Sequence, residues 1–174
     1  KSFPNKITIV GAGYIACEFA CILQGLGVEV TQLVRGERIL RGFDFELSSA
    51  LTEAMISKGI DLRFGENVSS IKGTTGSLII KTNTGKEFDS NGLLFATGRK
   101  PFLEGLKLEQ AGIEILENKI KVDNESKTNI SNIFAIGDVT DRINLTPVAI
   151  DEGRKFADRN YGKSAQKVNY NFVP

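Results

Sequence analysis

ITIVGAGYIA, residues 7–16, joins a run of apolar, β-branched residues to a short glycine-punctuated turn and the first residues of a helix. Four apolar or β-branched residues in a row (Ile7–Val10) without polar alternation describe a strand covered on both faces, as in a parallel sheet. Downstream, YIACEFACILQGL (14–26) has no proline, places apolar residues at helical spacing and stops before Gly27, a C-cap residue. VEVTQLV (28–34) then reads as a second strand, so the opening predicts a strand, a helix and a strand, the right-handed crossover unit of parallel sheets. Within it Gly11, Gly13 and Ala16 form GxGxxA, the dinucleotide fingerprint. Gly11 lets the chain turn sharply off the strand, Gly13 lets backbone approach a pyrophosphate, and Ala16 lets helix and strand pack closely. The amides at the helix N-terminus supply the positive end for the phosphates.

The end of the second strand decides between the two pyridine dinucleotides. An NAD site places a carboxylate there to accept from the adenosine ribose hydroxyls. This chain has Val34-Arg35, followed by Arg38 and Arg41 in the loop RGERILRG. A guanidinium matches a 2′-phosphate in charge and in its forked donors, so the loop favours NADP. Glu37 sits among these arginines and offers the other reading, a ribose acceptor, while all three arginines are also ordinary solvated loop residues by type.

Beyond the loop, 44–58 reads as a second helix burying Phe45, Leu47, Leu51, Ala54 and Met55, and IDLRF from Ile60 as a third strand. Short alternating stretches between Asn67 and Asp89, separated by TTG and TG, predict an antiparallel meander. GLLFATG (92–98) is again a buried strand, and RKP at 99–101 breaks regular structure, which puts a domain boundary near Pro101. KIKVD (119–123) and IFAIGD (133–138) are expected as strands, and a final helix from Thr146 or Pro147 to about Asn160. The whole predicts an α/β, Rossmann-like three-layer nucleotide-binding domain, with a parallel sheet, helices on one face and an antiparallel β-meander on the other. The expected division is 1–101, 102–160 and a connector at 161–174.

Composition narrows the chemistry. The 174 residues carry 22 Lys and Arg against 21 Asp and Glu, a net +1 that gives no general footprint for nucleic acid or an anionic membrane. No histidine occurs, which removes Ser-His-Asp triads and histidine-based zinc sites from this chain. No apolar run approaches the ~18 residues of a membrane span, and the opening KSFPNKITIV has no leader pattern. A soluble, cytoplasmic chain is expected, one with sequence missing upstream of Lys1.

Four stretches, GAGYIACEFA (11–20), RGERILRGFD (35–44), ATGRKP (96–101) and FAIGDVTDRINLTPVAIDEGR (134–154), in this order resemble the flavin-dependent pyridine nucleotide-disulfide oxidoreductases over nearly the whole chain. The RGE-ILRGFD loop points to their glutathione and trypanothione reductase branch, glutathione reductase most of all; mercuric and dihydrolipoamide types share most motifs, and a non-catalytic NADP-binding module is the rival of a different class. The resemblance implies NADPH bound by Gly11, Ala12, Gly13, Ile15, Ala16, Glu18 and Gly98, with its 2′-phosphate on Arg35 and Arg41. It implies Tyr14 as an aromatic gate over the flavin, and Glu18 as partner of a lysine in another segment. It implies Gly137 and Asp138 as a second FAD motif, with the Asp138 carboxylate accepting from a ribityl hydroxyl, and Leu145 and Thr146 facing the flavin pyrimidine. Asn144 falls at a main-chain contact to the nicotinamide amide, and Arg154 at a contact to glutathione disulfide. Read without the resemblance, Glu18 and Arg154 are helix-surface charges, Tyr14 a packed aromatic and Asp138 a turn cap.

Cys17 and Cys21 invite a redox assignment that their spacing argues against. C-x3-C on one helix stacks two side chains pointing the same way, poorly placed for disulfide geometry, so both are expected as small buried core residues. The family's redox pair is C-x4-C in an earlier segment, and its catalytic histidine lies in a later dimer domain. The chain therefore reads as a central piece, inactive by itself, of a homodimeric parent.

Overall fold

The computed structural model describes residues 3–163, 166–171 and 173. The chain divides into two compact units, Lys1–Gly98 and Arg99–Pro174.

The first unit is built on a parallel sheet of four strands in the order β3-β2-β1-β7: β1 (Lys6–Val10), β2 (Glu29–Val34), β3 (Asp61–Phe64) and β7 (Gly92–Phe95). The apolar run quoted above becomes β1 at the middle of that sheet, pairing Ile9 with Gln32 and Val10 with Leu33 on one side and Val10 with Phe95 on the other. Helix α1 (Tyr14–Gly25) follows β1, and α2 (Phe45–Ser57) follows β2. Side chains alternate between faces along a strand. Ile9, Val30 and Val34 join Ala16, Cys17 and Ala20 of α1 and Met55 of α2 in one core. Thr8 points the other way, its hydroxyl donating to Ser90 Oγ at 3.1 Å. Ser90 ends β6 (Glu87–Ser90), which with β4 (Val68–Thr74) and β5 (Ser77–Thr82) makes the antiparallel meander β4-β5-β6. Helices on one face and a meander on the other are the expected three layers. Each of the fully buried Ile9, Val30, Val34 and Met55 contributes roughly 1.5–3 kcal/mol by leaving water.

Two details of this unit differ from the sequence reading. On α2 only Ser48 and Met55 are buried, while Phe45 and Leu47 are 66% and 57% exposed. The inward stripe is Ser48, Leu51 and Met55 at helical spacing, and Phe45 instead lies beneath the Arg38 guanidinium, 5.8 Å from its ring centroid. Cys17 is buried but Cys21 is exposed. One helical turn on, Cys21 lines the open cleft between α1 and α2 beside Gln24, Met55 and Lys58.

The second unit holds a small hairpin, β8 (Ile115–Leu116) with β9 (Lys119–Ile120), a 3-10 turn at Gly137–Thr140 and helix α3 (Thr146–Tyr161). Its core joins Leu108, Ile120 and Ala135, with Leu103, Val122 and Val139 against them. The strand expected over 133–138 does not form, and the one expected over 119–123 is reduced to β9. Phe134 makes a single bridge to Lys127, and no further strand lies alongside among the described residues, so the ladder stops there. Of the segment 161–174, residues 164, 165, 172 and 174 lie outside the described ones. No described helix is long and apolar enough to cross a membrane.

Candidate functional site

The fingerprint turn leaves β1 at Gly11, whose φ of +143° is open to glycine. A Cβ there would lie 2.3 Å from the Ala96 carbonyl oxygen, so the close approach of the backbone just after β7 requires the same residue. Ala16 is fully buried under the turn, and its Cβ would stand 3.3 Å from a Cβ on Gly11. Gly13 differs: a Cβ on it would meet nothing within 4 Å. Protein packing does not explain Gly13, whose side-chain direction is open space.

Hydrogen bonds set the direction of the turn's peptides. Gln32 Nε2 donates to the Gly11 carbonyl at 2.9 Å, and the Leu40 amide donates to the Ala12 carbonyl at 2.7 Å. Neither the Ala12 nor the Gly13 N–H donates to a protein carbonyl among the described residues. Gly13 is the N-cap of α1, and among the described residues no side-chain cap hydrogen bond forms there. Helix α2 shows the contrast, with Asp44 accepting from the Leu47 amide at 3.0 Å. An uncapped N-terminus offers amide donors and the positive end of the helix dipole to an anion.

The arginine loop is tied to this turn. Besides the Leu40 amide, the Ser48 hydroxyl donates to the Ile39 carbonyl at 2.8 Å, and Ile39 and Leu40 are buried. Leu40 adopts φ +48°, a left-handed conformation unfavourable for leucine, which the surrounding contacts must sustain. Arg38 folds back on its own loop, donating to the Arg41 carbonyl at 2.8 Å. Arg35 and Arg41 are exposed, and neither guanidinium makes an ion pair or hydrogen bond among the described residues. The structure thus separates three arginines that the sequence presents alike: one closes the loop, two are left to meet solvent or ligand. Ile15 is half-buried, while Tyr14, at 36% exposure, and Glu18 are exposed one turn apart on α1. Gly98, at φ +137°, has open space where a Cβ would be. These features fit a phosphate-bearing dinucleotide: open amides, a side-chain-free approach at Gly13 and two uncommitted cations.

In the second unit, Gly137 opens the 3-10 turn at φ +72°, and its amide donates to Glu152 Oε2 at 2.5 Å. Glu152, 2% exposed, also accepts from the Tyr170 hydroxyl at 2.7 Å, and Arg142 Nη1 donates to the same hydroxyl at 2.9 Å. Burial and the Glu152 hydrogen bond push the Tyr170 phenol above its ordinary range. Asp138, next to Gly137, is half-exposed and pairs with Arg99 at 3.2 Å. Asn144 donates to Asp141 at 2.7 Å, and Leu145 is the N-cap of α3, which again has no side-chain cap and carries Pro147 in its first turn. Thr146 begins that helix, and Arg154 is exposed along it without an ion pair among the described residues. The fit to FAD is a half-exposed carboxylate acceptor at Asp138, paired with Arg99, together with the start of α3, whose N-cap makes no side-chain hydrogen bond.

Sequence reasoning missed Gln32, Leu40, Glu152 and Tyr170. Gln32 carried a signal, a polar residue inside the apolar strand VTQLV. Glu152 carried less, since an acidic residue on a helix is ordinarily exposed.

Comparison with known proteins agrees with this geometry. Residues 1–153 match the family described as pyridine nucleotide-disulphide oxidoreductase. The chain is 46% identical over 172 residues to a glutathione reductase of Burkholderia cepacia, covering 98% of this chain and 38% of that protein. It is 43% identical over 175 residues to a chloroplastic/mitochondrial glutathione reductase of Pisum sativum, covering 99% of this chain and 32% of that one. Among solved structures, the HOCl-induced flavoprotein disulfide reductase RclA from Escherichia coli superposes with a TM-score of 0.86 at 28% identity, over 96% of this chain and 38% of its own. The chain thus spans under two-fifths of the length of each of these proteins. With the glycine turn, the arginine loop and the parallel sheet in place and a family match over most of its length, the chain belongs to the pyridine nucleotide-disulphide oxidoreductases.

Proposed function

We propose that the chain is the NADPH-binding part, with a second FAD-binding segment, of a flavoprotein disulfide reductase of the glutathione reductase type. In this reading residues 1–101 bind NADPH, 102–160 contribute to FAD binding and 161–174 connect to a further domain; the parent is a cytoplasmic homodimer. When bound, the cofactors would supply the redox chemistry, a hydride from NADPH and two-electron reduction of a disulfide through FAD, so that NADPH, a proton and glutathione disulfide would yield NADP+ and two glutathiones.

The chain's own residues bind and select. The Ala12 and Gly13 amides and the start of α1 hold the pyrophosphate, and Gly13 admits it without a side chain in the way. Arg35 and Arg41 take the 2′-phosphate, each supplying charge-assisted hydrogen bonds. Ile15 and Gly98 lie along the nucleotide, and Glu18 and Tyr14 stand on the same helix face. At the FAD motif, Gly137 turns the chain so that Asp138 accepts from a hydroxyl of the flavin's ribityl chain. The backbone of Leu145 and Thr146 sets the positive end of α3 where negative charge develops on flavin reduction. Asn144 meets the nicotinamide amide, and Arg154 contacts the disulfide substrate.

The observation that carries the proposal is the pair of uncommitted arginines on a loop hydrogen-bonded to the fingerprint turn itself. Calorimetric titration with NADPH and NADH at one moderate salt concentration tests it. NADPH is expected to bind at least about ten-fold tighter, ~1.4 kcal/mol, and Arg35→Glu to abolish the difference. Equal binding of the two dinucleotides would refute the assignment of Arg35 and Arg41.

A further inference from the structure

Gln32 is fully buried in β2, in the core of a parallel sheet, where a primary amide is an expensive occupant. Its Nε2 reaches the Gly11 carbonyl at 2.9 Å and the Cys17 sulfur at 3.8 Å, while its Oε1 is buried with no hydrogen-bond partner among the described residues. An unpaired buried carbonyl costs stability, and an apolar residue of the same shape would avoid that cost. Packing alone does not account for glutamine here; its one good hydrogen bond points to what does.

The peptide joining Gly11 to Ala12 is trans, as are all the described peptides. In a planar trans peptide the carbonyl and the N–H of one unit point in opposite directions. Anchoring the Gly11 carbonyl inward on Gln32 therefore turns the Ala12 N–H away from the protein interior. The same rule applies one peptide later, where the Leu40 amide holds the Ala12 carbonyl and so orients the Gly13 N–H. Leu40 is in turn held left-handed, at φ +48°. Two consecutive donors are thus aimed by hydrogen bonds to the carbonyls behind them, one from strand β2 and one from the arginine loop. Glycine at 11 makes this necessary, because the freedom that allows φ +143° also allows the following peptide to flip.

We propose that Gln32 is a positioning residue for the dinucleotide phosphates, aiming the Ala12 amide by holding the Gly11 carbonyl, and that it is retained for binding at no gain in stability. The inference rests on the NADPH-binding reading above.

Gln32→Met, close in volume and without a donor, and Gln32→Leu test it in the full chain, with NADPH affinity by calorimetry and thermal melting read side by side. Wild-type binding is measured first; its absence would overturn the NADPH reading and this inference with it. With wild-type binding established, Gln32→Met is expected to bind NADPH about ten-fold more weakly while its melting temperature stays within about 4 °C of wild type. Affinity within two-fold of wild type in both variants would overturn the proposal and leave the NADPH reading standing. Loss of affinity only in step with loss of folding in both variants would also overturn it, since Gln32 would then be a core residue and nothing more.

Discussion

At the Gly11 turn protein groups donate to the backbone, Gln32 Nε2 to the Gly11 carbonyl and the Leu40 amide to the Ala12 carbonyl; at the Gly137 turn the Glu152 carboxylate accepts from the backbone amide. Both turns have a glycine at positive φ, and both lead toward a helix without a side-chain cap. The polarity of the support decides what is left over. Donors spent on carbonyls leave amides facing outward, which suits phosphate oxygens. With the Glu152 acceptor spent on the Gly137 amide, the half-exposed Asp138 carboxylate, paired with Arg99, is the neighbouring acceptor, which suits a hydroxyl donor. One backbone device, supported from opposite sides, thus presents opposite chemistry.

Steric demand separates the turns most sharply. Gly11→Ala puts a methyl 2.3 Å from the Ala96 oxygen at φ +143°, and is expected to cost about 4 kcal/mol or more. Gly137→Ala, at φ +72° with its nearest contact 3.3 Å away at Ala149, should cost about 1–2 kcal/mol. Denaturant unfolding followed by circular dichroism, with proteolysis to show which unit opens, ranks the two; equal costs would erase the distinction. Removing the acceptor comes next. Glu152→Ala leaves the Gly137 amide and the Tyr170 hydroxyl without their partner and should cost about 3 kcal/mol, whereas Glu152→Gln keeps an acceptor and should cost about 1. If the two variants lost the same stability, an acceptor at 152 would not by itself be what holds the turn.

The Tyr170 link sharpens the same comparison through pH. Its phenol titrates higher in the folded chain than in the unfolded one, with burial the larger cause and the Glu152 hydrogen bond the next. Its contribution is therefore fully present below the ordinary phenol value of ~10 and lost as pH rises through the folded value. Wild type should lose more stability than Tyr170→Phe between neutral and strongly alkaline pH, as denaturant midpoints at a series of pH values will show. Parallel midpoints would remove Tyr170 from the Gly137 support. The smallest effect is a reporter on the Gly11 side. Cys21 is exposed, whereas Cys17 is buried beside Gln32 and its thiol is pushed up by desolvation. Alkylation near pH 8, read by mass spectrometry, should modify Cys21 at least about ten-fold faster. Equal rates would mean that the Gly11 turn opens readily.

Much of the first unit was legible because its signals are local. An apolar run, GxGxxA and a helix ending in glycine dictate β1 and α1, and alternation with short turns gives the meander. The second unit was harder to read: a strand at 133–138 requires a partner, and among the described residues only Lys127 supplies a bridge to Phe134. At the site, Arg35, Arg38 and Arg41 are indistinguishable by type; which of them closes the loop depends on Phe45 and the Arg41 carbonyl, contacts that emerge only on folding. Gln32 and Glu152 act through hydrogen bonds to glycine backbone 21 and 15 residues away, a relation no spacing rule encodes.

The most direct measurement is a backbone-amide NMR titration of the chain with NADPH, comparing the two glycine turns in one experiment. The account predicts the largest shifts at Ala12, Gly13 and the Arg35–Arg41 loop, with the Gly137 amide, already committed to Glu152, unmoved. Unchanged Ala12 and Gly13 amides at saturating NADPH, or a response centred on Gly137, would contradict it.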